Sequence, residues 1–138
     1  VTHPIPETAE VRFRVRYAET DQMGVVYHAN YLVWMEMART QLCRVRGVTY
    51  RDIEKNDGLN LAVADVNCRY HQPARYDDEI VATARFKHVH LRMVTFAYEM
   101  RRAEDGCLLA SGQTRHVFIR NGKPAKMPEK YFELFGLK

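Results

Sequence analysis

The chain predicts an α+β fold in which one long helix lies on the face of an antiparallel sheet. Three features predict it: a strictly alternating strand near the N-terminus, a single helix-period segment soon after it, and a run of turn-linked strands filling most of the remaining chain. In Val11 to Tyr17 the residues Val11, Phe13, Val15 and Tyr17 share one face while Arg12, Arg14 and Arg16 share the other, the period of a half-buried strand. Asp21-Gln22-Met23-Gly24 then reads as a turn, with Gly24 able to take a positive φ without steric penalty. Asn30 suits an N-cap, and apolar residues at 31, 34, 35, 38, 42 and 45 follow the helical i, i+3, i+4, i+7 spacing. This predicts a helix over about 30–46, roughly 24 Å long at 1.5 Å per residue, stopped at Gly47.

The remaining segments fit around that core. Residues 1–10, with Pro4 and Pro6, are expected to be a loose leader. Residues 48–59 read as irregular with room for a short helical turn, closed by Asn56-Asp57-Gly58. Leu61 to Tyr70 is the second strand, and Pro73 belongs at an edge or bend because it cannot donate to a central ladder. Ile80, Ala82, Ala84 and Phe86 alternate with polar or smaller neighbours, as do Val94, Phe96, Tyr98 and Met100; these two strands meet in a hairpin at His88 to Arg92. Glu104-Asp105-Gly106 turns the chain into a fifth strand, Cys107 to Ile119. Residues 121–138 form a C-terminal tail whose amphipathic stretch, Tyr131 to Leu137, suits one or two helical turns. At 138 residues, without repeats or linkers, the expectation is a single domain.

Composition narrows the function classes. Hydrophobic residues at 46% and charged residues at 28% fit a globular protein, and no apolar run approaches the ~20 residues of a transmembrane helix. The N-terminus lacks the basic-then-apolar order of a signal peptide. Cys43, Cys68 and Cys107 are odd in number and widely spaced, as expected of reduced thiols in a cytoplasmic protein. The net charge of +4 is spread along the chain rather than gathered in one run, which argues against a nucleic-acid partner. His71, His88, His90 and His116 have no metal-ligand spacing, so no metal or cofactor is expected.

Polar chemistry concentrates where the first strand passes into the helix. The run Tyr17-Ala-Glu-Thr-Asp21-Gln-Met-Gly24-Val-Val-Tyr27-His28-Ala-Asn30-Tyr31 resembles the signature of the hotdog-fold acyl-CoA thioesterases of the 4-hydroxybenzoyl-CoA thioesterase group, and within it the short proteins encoded beside the Tol-Pal envelope system. Met35 to Thr40 and Tyr70 to Asp78 support the resemblance, which covers roughly residues 11–120. It implies an antiparallel sheet of about five strands wrapped around the long helix, with homodimers or homotetramers whose active sites lie at subunit interfaces. It also implies hydrolysis of an acyl-CoA to free acid and CoA, with no cofactor.

Thioester hydrolysis needs a nucleophile or base, and donors for the oxyanion that forms on the carbonyl. The resemblance assigns the first part to Asp21, as nucleophile or general base, and the second to backbone amides at the helix start, that of His28 or a close neighbour. The His28 side chain would bond a carboxylate or protonate the leaving thiolate, and Tyr17 would orient the carboxylate or a water. Residue chemistry alone reads these three more plainly: Asp21 caps its own glycine turn, His28 hydrogen-bonds at a helix start, and Tyr17 is an inward-facing core residue. Glu36 is the rival acid, but Arg39 and Thr40 at i+3 and i+4 favour a structural ion pair. Two other functions fit the same residues: hydrolysis of acyl groups on a carrier protein, and non-catalytic acyl binding.

Overall fold

A computed structural model describes residues 7–137 of the chain. Strand β1 (Thr8–Arg14) leads through a 3₁₀ turn (Tyr17–Glu19) and a loop to helix α1 (Asn30–Val45). Helix α2 (Tyr50–Asp57) follows, then β2 (Leu59–Tyr70), β3 (Glu79–Val89), β4 (Met93–Arg102), β5 (Leu108–Arg120) and the two-residue β6 (Lys123–Pro124). A second 3₁₀ turn (Glu129–Tyr131) and helix α3 (Phe132–Phe135) complete the tail. All pairings are antiparallel in the order β1-β3-β4-β5-β2, with β6 added beside β5, so β1 and β2 are the outer strands of the main order.

Several boundaries differ from the sequence expectations, each for a local reason. Strand β1 starts at Thr8 and ends at Arg14, so the expected leader contributes strand residues and the expected strand residue Tyr17 does not belong to it; the leader's residues 1–6 lie outside the described residues. Asn30 is the first residue of α1 rather than its cap, because its side-chain amide donates to the Glu19 carbonyl at 2.8 Å. The segment after α1 forms a full eight-residue helix, α2. Its N-cap Thr49 accepts from the Asp52 amide at 3.2 Å, and Gly58 ends it in the left-handed conformation at φ 60°.

Helix α1 buries Tyr31, Trp34, Met35, Ala38 and Leu42 of the face predicted by the 3.6-residue period, whereas Val45, expected on the same face, is exposed at the helix end. Opposite lie Ile80, Ala82 and Ala84 of β3 and Val94, Phe96, Tyr98 and Met100 of β4, whose alternation places them together on the covered side of the sheet. The helix approaches β5 at Gly112. A Cβ there would stand 2.2 Å from the Asn67 carbonyl oxygen and 2.7 Å from the Met35 methyl, so only glycine admits helix and neighbouring strand together.

One buried carboxylate ties the entry loop to this core. Glu19 is 6% exposed; its Oε1 accepts from the Arg16 amide at 2.8 Å, and its Oε2 accepts from the Trp34 indole at 2.9 Å. Its carbonyl accepts from the Tyr27 amide at 2.8 Å as well as from Asn30. A single residue therefore holds the 3₁₀ turn, the far end of the loop and the first turns of α1. Burial acts to raise the Glu19 pKa, but the Arg16 amide, the Trp34 indole and the Arg16 guanidinium outweigh it and hold it below 4.5. A lowered folded pKa contributes stability that is complete above the ordinary value and is lost as pH falls through the folded one. Glu19→Gln, which turns an amide donor toward one of these N–H groups, is expected to destabilise the protein at pH 7 by about 1–3 kcal/mol. In chemical denaturation the gap between the two proteins should narrow as pH falls below 4.5; a gap independent of pH would contradict the ionised clamp.

Candidate active site

The loop between the 3₁₀ turn and α1 is a miniature hairpin. Thr20 and Val26 form an antiparallel bridge, the Asp21 amide donates to the Val25 carbonyl at 2.9 Å, and the Gly24 amide donates back to Asp21 at 3.0 Å. Gly24 takes φ 79°, the positive angle for which glycine was expected. Asp21 Oδ1 accepts from the Met23 amide at 2.9 Å, so the side chain does cap its own turn. Its second oxygen, Oδ2, accepts no hydrogen bond among the described residues, and the side chain is only partly buried.

The start of α1 presents two free donors. Around it, the Tyr27 amide is taken by Glu19, Asn30 by the Tyr27 carbonyl, Tyr31 by the His28 carbonyl and Leu32 by the Ala29 carbonyl. The amides of His28 and Ala29 donate to no acceptor among the described residues. Their directions are nevertheless set, because N–H and C=O point oppositely across a planar trans peptide. The Tyr27 carbonyl is held by the Asn30 amide at 3.0 Å, which orients the His28 N–H; the His28 carbonyl accepts from the Tyr70 hydroxyl at 2.9 Å, which orients the Ala29 N–H. The helix dipole adds positive potential at this end.

Beside these donors is a cleft of about 260 Å³ lined mainly by Val25, Val26, His28, Tyr31, Tyr70 and Pro73. The Tyr31 and Tyr70 rings meet edge to face at 5.1 Å, and His28 presents its ring to Tyr27 at 4.4 Å and to Tyr70 at 6.4 Å. The loop after β2 closes the far wall. Its Ala74 amide donates to the Tyr31 hydroxyl at 3.2 Å, and its Ala74 carbonyl accepts from the Val26 amide at 2.8 Å. Burial raises the Tyr31 pKa, keeping its hydroxyl neutral.

The three expected residues are therefore unequally placed. Asp21 lies within the miniature hairpin, beside its Thr20–Val26 bridge, and His28 follows that bridge by two residues, with the free amides at His28 and Ala29. Tyr17 is 77% exposed rather than turned into the core, since the chain leaves the strand path before it; its ring packs against Tyr76 at 5.5 Å, and its hydroxyl makes no hydrogen bond among the described residues. The rival acid Glu36 is exposed and makes no ion pair with Arg39 among the described residues. Arg39 instead has a buried Nε, and its charge acts on Tyr98 and His116 beneath the helix. His116 is held near pKa 4 by burial and then by that charge; its Nε2 lies 2.8 Å from Thr114 Oγ1. No group of three metal-ligating side chains forms among the described residues.

Two contributors escaped the sequence reading. Glu19 lies in a segment without helical or strand period, so nothing in the pattern marks it as buried. Tyr70 falls within a stretch that supported the resemblance, and that was the available signal for its role at the helix start.

Known proteins share both the sequence and the fold around this site. A putative acyl-CoA thioesterase of Bacillus subtilis, YneP, is 55% identical over 67 residues, 49% of this chain and 48% of that one. The acyl-CoA thioesterase YbgC of Haemophilus influenzae is 29% identical over 85% of this chain and 86% of its own. The crystal structure of a DHNA-CoA thioesterase from Staphylococcus aureus superposes with a TM-score of 0.88 at 29% identity, covering 94% of this chain and 89% of that one. Residues 15–134, which carry the clamp, the hairpin loop, the helix start and the cleft, match the thioesterase-like superfamily. The chain belongs to that superfamily and has its hotdog fold.

Proposed function

We propose that this protein is an acyl-CoA thioesterase, working as a homodimer or a homotetramer built from such dimers. The observation that carries the reading is the pair of oriented, unoccupied amides of His28 and Ala29 at the start of α1, beside a cleft and one hairpin away from an aspartate with a free oxygen. The acyl group enters the cleft, and the thioester oxygen lies against the amides. Asp21 Oδ2 attacks the carbonyl carbon or draws a proton from an attacking water; either route drives negative charge onto that oxygen. The amides stabilise the charge as it grows, each well-aimed donor contributing about 3–4 kcal/mol. Collapse of the adduct expels the CoA thiolate, which the exposed His28 imidazole protonates. On the water route this leaves the free acid; on the nucleophilic route it leaves a mixed anhydride on Asp21 that a water molecule then hydrolyses to the free acid and the regenerated carboxylate. Tyr17, exposed and packed against Tyr76, acts as a supporting group. The relatives named for acyl-CoA hydrolysis support CoA over a carrier protein as the acyl carrier.

The oligomer follows from what a lone chain leaves uncovered. Strand β2 is an outer strand exposing Val63, Val66 and Tyr70, the last of which also holds the His28 carbonyl. A second copy pairing along this edge would cover those residues and close the cleft. The three cysteines are free thiols, which suits the cytoplasm. No helix among the described residues is long and apolar enough to cross a membrane.

A panel of acyl-CoA thioesters with thiol detection tests the chemistry. The native protein should hydrolyse at least one member, and Asp21→Asn, which preserves shape while removing charge, should lower its turnover about 100-fold or more. Near-native turnover by the variant on every accepted substrate would remove Asp21 from the mechanism. Light scattering tests the assembly: the native mass should be two or four times that of the chain. Val66→Glu on the β2 edge should shift it toward the monomer and lower activity in step, whereas an active native monomer would refute the interface.

A further inference from the structure

The loop joining β2 to β3, residues 71–78, forms the far wall of the acyl cleft through Gln72 and Pro73. Among residues 71–77 only Ala74 is buried, so apolar packing contributes little to where this wall stands. Hydrogen bonds set its position instead. At one end the His71 and Gln72 amides donate to the Leu109 carbonyl at 2.8 and 3.1 Å. At the other, the Val15 amide donates to the Asp78 carbonyl at 2.9 Å, and the Asp77 amide donates to the Val15 carbonyl at 3.0 Å. Asp77 takes φ 67°, an angle few residues other than glycine adopt, and Arg14 Nη1 donates to its carbonyl at 2.8 Å.

Between those ends one side chain joins the two limbs of the loop. Arg102, the last residue of β4, donates from Nη2 to the Pro73 carbonyl at 3.3 Å and from Nε to Asp78 Oδ2 at 3.4 Å. The same Asp78 oxygen accepts from the Arg75 amide at 2.9 Å, so the carboxylate passes the restraint on to the middle of the loop. Arg102 Nη1 donates to Asp105 Oδ2 at 2.9 Å, which holds the guanidinium from its other side. A planar fork of donors is what lets one residue serve three acceptors in fixed directions. The Arg102 and Asp78 side chains are only 21% and 23% exposed, so water screens their pairing less than it would at an open surface.

We propose that Arg102 is a positioning residue for the acyl group: it lines no part of the cleft, and it sets the cleft's width by holding Pro73 in place. The proposal rests on the thioesterase reading and assigns acyl fit to a residue outside the cleft. Asp21 and the free amides of His28 and Ala29 are held by bonds in which Arg102 takes no part. Loosening the wall therefore weakens the grip on the acyl group to the same degree before and during reaction, which raises KM and leaves kcat in place. A wall that can retreat also lowers the penalty on larger acyl groups.

Arg102→Gln keeps most of the side chain's length and removes the charged fork. On the best acyl-CoA of the native protein it should raise KM about tenfold and change kcat less than about twofold. The ratio of kcat/KM for the smallest accepted acyl group to that for the largest should fall about tenfold. Asp78→Asn, which weakens the same link from the loop side, should move both quantities in the same direction. Amide exchange reads the wall without any turnover: Ala74 and Arg75 should exchange about tenfold faster in Arg102→Gln, while Phe96 in β4 keeps its protection. Native KM and a native acyl ratio in both variants overturn the proposal, as does a fall in kcat at unchanged KM. The two readings fail separately. Faster exchange at Ala74 and Arg75 in a protein that hydrolyses no thioester upholds the hold of Arg102 on the wall and removes the enzyme. Hydrolysis that neither variant alters upholds the enzyme and removes Arg102 from acyl fit.

Discussion

The buried Glu19 carboxylate is the constraint on which the rest of the site depends. Of the loop residues from Thr20 to Ala29 only Val26 is buried, and a loop held by that one side chain and its own turn bonds would move more freely against the helix. Glu19 prevents this by joining parts of the chain that are far apart in sequence: the Arg16 amide, the indole of Trp34 and, through its carbonyl, the Tyr27 amide and the Asn30 side chain. A buried carboxylate is costly unless its oxygens are satisfied, and here both are, which is why the group stays ionised rather than neutral. Trp34, in turn, is fully buried between Phe13 and Tyr31, so the clamp is anchored in the helix–sheet core rather than at the surface.

The arrangement has a direct meaning for the proposed chemistry. Transition-state stabilisation by backbone amides requires donors that are aimed before the substrate arrives and that stay unpaired without collapsing onto another acceptor. Here the Tyr27 carbonyl and the His28 carbonyl are both occupied, which sets the orientation of the peptide planes bearing the His28 and Ala29 N–H groups. Asp21 is treated differently: one oxygen stabilises its loop and the other is open. In the proposed chemistry, structural and reactive duties are divided between two acids two residues apart, the buried Glu19 and the partly buried Asp21.

Much of the architecture was legible because it depends on periodicity. The long helix declared itself through residues 31, 34, 35, 38 and 42, and β3 and β4 through clean alternation, since each has one face buried against the other layer. Segments without a period were harder to read. Tyr17 continued the alternation of Val11, Phe13 and Val15, yet the chain turns into a 3₁₀ segment before it, and alternation carries no information about where a strand stops. Asn30 has the right chemistry for a cap but was drawn to the Glu19 carbonyl, a tertiary contact invisible in local sequence. Glu36 and Arg39 have helical ion-pair spacing, but Arg39 sits with its Nε buried beneath the helix, and that burial overrides a surface pairing worth only a few tenths of a kcal/mol. Asp21 and His28 stood out through the family resemblance, whereas the reason their loop is rigid did not.

The most direct measure of that rigidity is amide hydrogen exchange across the loop, followed in the native protein and in Glu19→Gln at neutral pH. The Tyr27 amide, which donates to the Glu19 carbonyl, should be protected in the native protein and should exchange about tenfold faster or more in the variant, while Phe96 in the central strand β4 keeps its protection relative to global unfolding. Unchanged exchange at Tyr27 in a variant that has lost its ionised clamp would show that the loop is held by something other than Glu19.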